Sequence, residues 1–384
     1  MKKQKLLFFI FVYFLISCSA NKSLLNSQNV ELLGEKTIFS KVKCFPENLK
    51  YENGNNVFAE ISGAEYVDGY LYLINDKPIE GLTPIFKIPF SKSKKNFSKK
   101  IIYLKSPVIV NTEKFEDITV TLDKKYILAT TAFDRIDSNS NKWDCYNKIV
   151  YWKVKDENKV EIISPTEDSG VISSKSLRKY FQEALIDEKY PEGPDYFKIE
   201  GLTVIPNNKI LFGIREYGKT YKNFTYVIKI LCAGYYIENG KIILKDNITL
   251  INDFDNKLNL PDKSMYRFGI SGLIYEKTNN MLYVLTSFEN ENSEFDGNIW
   301  YISLPDFFAK KPLKLLCSKN GEPITFFPHK PESIALIDAN TLIIVCDDDR
   351  KVEYEIIKNG EKIRYNRLPN EAWYNIIKIK KKKI

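Results

Sequence analysis

Three glutamates and one arginine hold the residue types best suited to chemistry in this sequence. Glu116, Glu200 and Glu332 each stand second in a run that otherwise reads as an apolar strand: "FEDITV", "IEGLTVI" and "PESIALI". Arg215 closes the return run "KILFGIR". Carboxylates gathered at one place repel unless a cation compensates them. Arg215 can neutralise one, and a bound ion the others; oxygen-only donors on flexible segments suit Ca²⁺. A metal so held would polarise an ester and activate water, with Glu200 or Glu332 as base and Arg215 holding the anion. His329 is the sole histidine, so any serine or cysteine hydrolase mechanism has to use it. A lone histidine three residues before Glu332 is expected to be structural. Histidine-rich metal sites are excluded, and no phosphate loop or dinucleotide fingerprint occurs.

Whether these residues meet depends on the elements that carry them. The chain is rich in Tyr, Phe, Ile and Val, punctuated by Asn, Asp and Gly, the pattern of many short strands. One hairpin plan recurs five times, starting at Ile61, Phe115, Ile199, Ile270 and Pro331. Each copy has an apolar residue or proline, then Glu or Ser, usually a small residue, then an aliphatic. A polar turn and a hydrophobic return strand follow. Each interval has room for two further strands. An all-β fold is therefore expected: a β-propeller of five or six four-stranded blades over residues 37–371. A sixth, degenerate blade would draw on 37–57 and 350–370 and be closed by both termini. A pair of β-sandwiches is the alternative. The longest interval holds a helical insertion near 174–189, with Leu177, Phe181, Ala184 and Leu185 on one face and serines to cap it. It reads as a surface helix between blades two and three, or a lid over one mouth.

In a propeller the start of each first strand lies beside the end of the second. Two columns would then reach one rim: Ser62, Glu116, Glu200, Ser271 and Glu332, and Asp76, Thr131, Arg215, Thr286 and Asp347. Glu116, Glu200, Glu332 and Asp347 form the candidate metal set. Gly63, Gly201 and Gly272 follow the first column and would allow close backbone approach. The plainer role for Ser62, Ser271 and Glu332 is to bond the backbones of neighbouring blades. The run Asp347–Asp349 taken alone reads as a solvated loop.

The segments "IEGLTVIPNNKILFGIRE", "GISGLIYEKTNNMLYVLTS" and "KPESIALIDANTLIIVCDDD" resemble the phytase-like propellers ("esterase-like activity of phytase") and related bacterial proteins. Their mark is a repeated Glu-Gly-Leu strand opening. Glu200-Gly201-Leu202 carries it fully, Ser271-Gly272-Leu273 keeps Gly and Leu, and Glu332-Ser333-Ile334 keeps the glutamate. The resemblance implies a propeller, commonly six-bladed, and calcium-dependent phosphoesterase or esterase chemistry. Such chemistry needs several basic residues around phosphate, whereas the two columns contain Arg215 alone.

The N-terminus pairs a basic start with an apolar run from Leu6 to Ile16, the layout of a secretion signal. Leu15-Ile16-Ser17-Cys18 resembles the bacterial lipoprotein cleavage box. This implies a signal over 1–17, lipidation of Cys18, a polar tether over 18–36 and an extracytoplasmic, membrane-anchored protein, in the periplasm or at the cell surface. The formal charge of +8 is accounted for by three leader lysines and five in the tail. The remaining body is neutral, which argues against nucleic acid. Residues 372–384 are expected to be a solvated basic tail, or to touch anionic lipid. No Cys-x-x-Cys spacing occurs. Cys232 and Cys346 read as core residues, and a disulfide among the others is left open. A monomer is expected. Two functions follow: a tethered propeller binding a small molecule, glycan or protein at its rim, or a Ca²⁺-assisted ester hydrolase.

Overall fold

The computed structural model describes residues 31–137, 140–164, 171–245, 247–255, 258, 268–290, 294–358 and 360–382. The leader, Cys18 and most of the tether lie outside them. The described residues form five antiparallel sheets of four strands, two with a fifth short strand, arranged as a five-bladed β-propeller. The inner strands are Ile61–Val67, Phe115–Val120, Tyr196–Ile205, Gly269–Glu276 and Pro331–Asp338, one per blade. Each contains the start of one hairpin copy read from the sequence.

The hairpin turns explain why the copies are punctuated as they are. Asp68 and Gly69, and Asn207 and Asn208, take positive φ in the turns of blades 1 and 3. Gly, Asn and Asp tolerate that region best, and it matches the twist of the flanking strands. The return strands, such as Leu342-Ile343-Ile344-Val345, are buried on both faces and so read as unbroken apolar runs. Apolar clusters fill the spaces between successive blades. One joins Val42, Leu71, Leu73, Ile343 and Tyr374 between blades 5 and 1.

Closure comes from both ends, but without a sixth blade. Leu32–Lys43 is the outermost strand of blade 5 and pairs antiparallel with Glu371–Lys381, which in turn pairs with Thr341–Cys346. The stretch expected to be a solvated basic tail is thus an internal strand for most of its length. Ile376, Ile377 and Ile379 are buried while Lys378 and Lys380 face outward, the alternation of a blade strand. Residues 353–366, expected in a sixth blade, form a separate hairpin, Glu353–Lys358 with Glu361–Asn366.

The insertion is a short 3₁₀ turn, Lys175–Leu177, running into an α-helix, Arg178–Ala184. Leu177, Phe181 and Leu185 pack into the core between blades 2 and 3. The serine cap is absent: Ser174 instead donates to Ile163 O and accepts from Ile149 N. Arg178, almost fully buried, lies 4.3 Å over the Phe197 ring, so the helix is fixed to the blades. Cys44, Cys145, Cys232, Cys317 and Cys346 are free thiols, and Cys232 and Cys346 are buried as expected.

Candidate functional site: an ionic ring at the channel mouth

Every inner strand carries a β-bulge at the same place. Ile61 faces Asn75 while Gly63 faces Ile74, leaving Ser62 as the extra residue. The same step isolates Glu116, Glu200, Ser271 and Glu332. A bulge re-aims a side chain out of the regular alternation. The first column is therefore the set of bulged residues, turned to one mouth of the channel.

Its members divide by chemistry. Ser62 Oγ donates to Phe115 O at 2.7 Å and Ser271 Oγ to Pro331 O at 2.8 Å, each in the next blade. These serines stitch blades together. The glutamates enter a circuit of ionic contacts. Asp76 of blade 1 meets Lys114 of blade 2 at 2.9 Å, and Lys114 lies 3.3 Å from Glu116. Lys198 of blade 3 approaches Glu116 at 3.3 Å and also pairs with Glu200. Arg215 sits 3.3 Å from Glu200 and 3.9 Å from Glu332 of blade 5. It also donates to Ser287 Oγ of blade 4 at 2.9 Å, and that hydroxyl donates to Glu332 at 3.0 Å. Lys330 holds Glu332 at 3.5 Å and Asp349 at 3.3 Å. Arg350 reaches Glu60 of blade 1 at 3.5 Å, and Lys77 lies between Glu60 and Asp76. The circuit passes through all five blades.

The lysines escaped the sequence reading, although their spacing was visible. "KFE", "KIE" and "KPE" place Lys114, Lys198 and Lys330 two residues before each bulged glutamate. One residue apart along a strand reverses the side chain; two restores the same face. Blade 4 has Gly269 at that position. A Cβ there would stand 2.6 Å from Arg215 Cγ, so the guanidinium stem occupies the slot a lysine fills elsewhere.

The second column needs correction in two blades. Thr131 and Thr286 lie directly opposite Phe115 and Ile270 and turn into their own sheets. Thr131 Oγ donates to Tyr146 O at 2.6 Å, and Thr286 Oγ accepts from Trp300 Nε1 at 3.0 Å. The residues at the mouth are the next ones, Ala132 and Ser287. Asp76 and Arg215 are placed as expected. Asp347 reaches the mouth too, where its carboxylate accepts from Asp349 N at 2.7 Å and so fixes its own turn.

Burial and pairing set the ionisation. Burial opposes the charge on Asp76, but Lys114 and Lys77 outweigh it and hold the carboxyl below the usual range. Glu200 is likewise buried, yet Arg215 and Lys198 bring it down to about 2. At Glu116 burial prevails over Lys114 and Lys198, and the carboxyl is pushed up to about 8. Burial also raises Glu332 and, more strongly, Asp347.

The expected calcium set does not fit an ion. Lys198 stands between Glu116 and Glu200, and Arg215 between Glu200 and Glu332. Among the described residues no group of three or more His, Cys, Asp or Glu side chains is placed to hold a metal. Lysine and arginine supply the compensation expected from calcium.

Below the ring the channel is narrow. A Cβ on Gly63 would stand 3.0 Å from Asp117 Cα of the next inner strand, which is why this position takes glycine. Blade 2 has Asp117 there instead. Its carboxylate accepts from Leu202 N of blade 3 at 2.6 Å and from Ile118 N at 2.8 Å. His329 lies beside the ring but outside it. Its Nδ1 is 2.7 Å from Asp348, and Phe39, Tyr354, Tyr365 and Trp373 surround the imidazole at 5.1–5.4 Å between ring centres. The imidazole is thus enclosed by aromatic rings and buried.

No protein-family model matches the chain, and no curated protein matches it. Solved structures share the general architecture at low identity. The catalytic domain of a Coprinopsis cinerea α-L-arabinofuranosidase is 10% identical with a TM-score of 0.40, covering 90% of this chain and 97% of that one. An exo-β-1,3-galactanase from Clostridium thermocellum is 11% identical with a TM-score of 0.41, covering 87% and 61%. A protein of unknown function from Dyadobacter fermentans is 10% identical with a TM-score of 0.39, covering 90% and 99%. These are distant structural neighbours; the chain's own sheets make it an all-β, five-bladed propeller.

Proposed function

We propose that this propeller is a binding module for a glycan, taken up beside the ionic ring, and that the ring itself is a structural lock. The observation that carries the reading is a cavity of about 660 Å³ next to the ring, within the usual range for ligand sites. Lys77 and Arg350, both members of the circuit, line it together with Asn53, Asn55, Tyr51 and Phe58. Amides offer donors and acceptors to hydroxyl groups, the rings offer faces to sugar C–H groups, and the charges of the circuit oppose one another. A polyhydroxylated ligand suits such a surface better than a strongly charged one.

Catalysis is less well supported. Glu200, one base expected from the sequence, is held at about 2, far from the pKa a general base needs near neutral pH. Arg215 is already paired through Nη1 with Glu200, Glu332 and Ser287, so its charge is compensated within the ring. We further propose that lipid on Cys18 tethers the propeller to a bacterial membrane as a monomer.

A glycan array followed by calorimetry on the hits tests this. Binding that weakens about tenfold or more in Phe58→Ala and Arg350→Ala, with folding unchanged, is the expected result. Turnover of phosphate or carboxyl esters, or an array with no hits, would remove the proposal.

A further inference from the structure

The opposite mouth of the channel holds a second cavity, of about 210 Å³. All five blades line it, through the far ends of their inner strands and the turns that follow. It is separate from the ring, because Asp117 bridges the inner strands between the two mouths. The walls are mixed, with Val204, Ile274 and Leu336 among the apolar residues and Thr119, Thr121 and Thr203 among the polar ones. Three lysines, Lys92, Lys124 and Lys277, line the cavity and are exposed at its rim. Lys92 lies 4.8 Å over the Tyr66 ring, so its ammonium is held at the edge of the cavity.

One carboxyl group, Glu65, lies at the floor and is almost fully buried. It accepts from Tyr66 N at 2.9 Å and from Val120 N at 3.2 Å. Burial outweighs these bonds and the pull of Lys124, and pushes its pKa up to about 8. At neutral pH the floor is therefore chiefly uncharged while the rim is positive. A second wall carboxylate, Glu276, accepts from Thr278 N at 2.6 Å and Asn279 N at 2.7 Å and is committed to its own turn. Asp338, Tyr66 and Tyr275 complete the titratable groups of the wall, and Asp117 lies behind Glu65.

A rim where three lysines outnumber the exposed Asp338, above a wall with an apolar side, suits a molecule with an acidic group at one end and a small hydrocarbon body at the other. We infer that this mouth binds a small amphipathic carboxylate. Its acid group lies among Lys92, Lys124 and Lys277, and its apolar body lies against Val204, Ile274 and Leu336. The volume corresponds to about seven water molecules at ~30 Å³ each, enough for one small ring or branched chain.

Benzoate, benzamide and benzylamine share one body and differ in charge. Calorimetry with each at millimolar concentration, on the folded protein, tests the assignment. Benzoate is expected to bind, and the amide and amine are not. Lys124→Ala/Lys277→Ala, both surface changes, should weaken benzoate by about tenfold or more. Affinity should also fall as pH rises through the range where Glu65 ionises, because a floor carboxylate repels the ligand. Glu65→Gln should flatten that dependence and keep the affinity. Absence of benzoate binding, equal binding of benzamide or benzylamine, or indifference to the lysine changes would each overturn the inference.

Discussion

Lys198 Nζ lies 3.3 Å from Glu116 and pairs at the same time with Glu200, so one ammonium joins blade 2 to blade 3. Burial works against the charge on Lys198, but Glu116 and Glu200 together raise its pKa well above the ordinary value. Lys198→Met would leave two buried carboxyl groups without the cation between them. A loss of roughly 3–5 kcal/mol is expected on removing one member of a buried ion pair. Urea unfolding measures it. Adding Glu116→Gln should restore part of the loss, and a double-mutant cycle gives the coupling.

Ser287→Ala tests the register at the mouth. The hydroxyl accepts from Arg215 and donates to Glu332, so its removal should cost about 1–3 kcal/mol. Thr286, one residue earlier, bonds inside its own blade. A Thr286→Ser change keeps that hydroxyl and should leave the ring intact, as a crystal structure of the variant would show.

Gly63→Ala should destabilise by about 1–3 kcal/mol, the usual range for overpacking. The new Cβ meets backbone atoms of Asp117 and Ile118 at 3.0–3.2 Å, and backbone cannot rotate away. At Gly201 the obstacle is the Leu273 side chain, at 2.8 Å. Leu273→Ala should therefore rescue Gly201→Ala in part, while no side-chain change rescues Gly63→Ala. Thermal melts of the four variants check both statements.

Acid should weaken the ring through Glu200. Its folded-state pKa, about 2, lies below the ordinary carboxylate value, so the folded protein binds fewer protons than the unfolded chain between the two. The stabilisation is complete above the unfolded pKa and disappears as pH falls through about 2. The stability gap between the native protein and Glu200→Gln should shrink over that acid window. A gap that is constant with pH would mean that the carboxylate is not held by Arg215 and Lys198.

Much of this design was legible in the sequence and some was not, for identifiable reasons. The five inner strands announce themselves because each repeats a polar residue, usually a small residue, an aliphatic and an Asn, Asp or Gly turn. The bulged column followed from that repeat. The return column did not, because hairpin loop length sets register. Val67 faces Tyr70 across a two-residue loop, whereas Val120 faces Ile127 and Glu276 faces Met281 across longer ones. Counting from one blade to the next therefore landed on Thr131 and Thr286, one residue short. The basic tail misled for another reason. Lysines alternating with isoleucines look like a solvated end until a partner strand covers the isoleucine face, and that partner lies more than 300 residues upstream.

The pairing of Leu32–Lys43 with Glu371–Lys381 has a consequence for biosynthesis. The first of these segments leaves the ribosome long before its partner has been translated. Until Glu371–Lys381 has been made, Leu32–Lys43 has no strand to pair with in blade 5 and Thr341–Cys346 keeps an unsatisfied edge. A chain cut back to residue 370 would hold a nearly complete ring with an unpaired edge, and should be prone to pairing with strands of other copies.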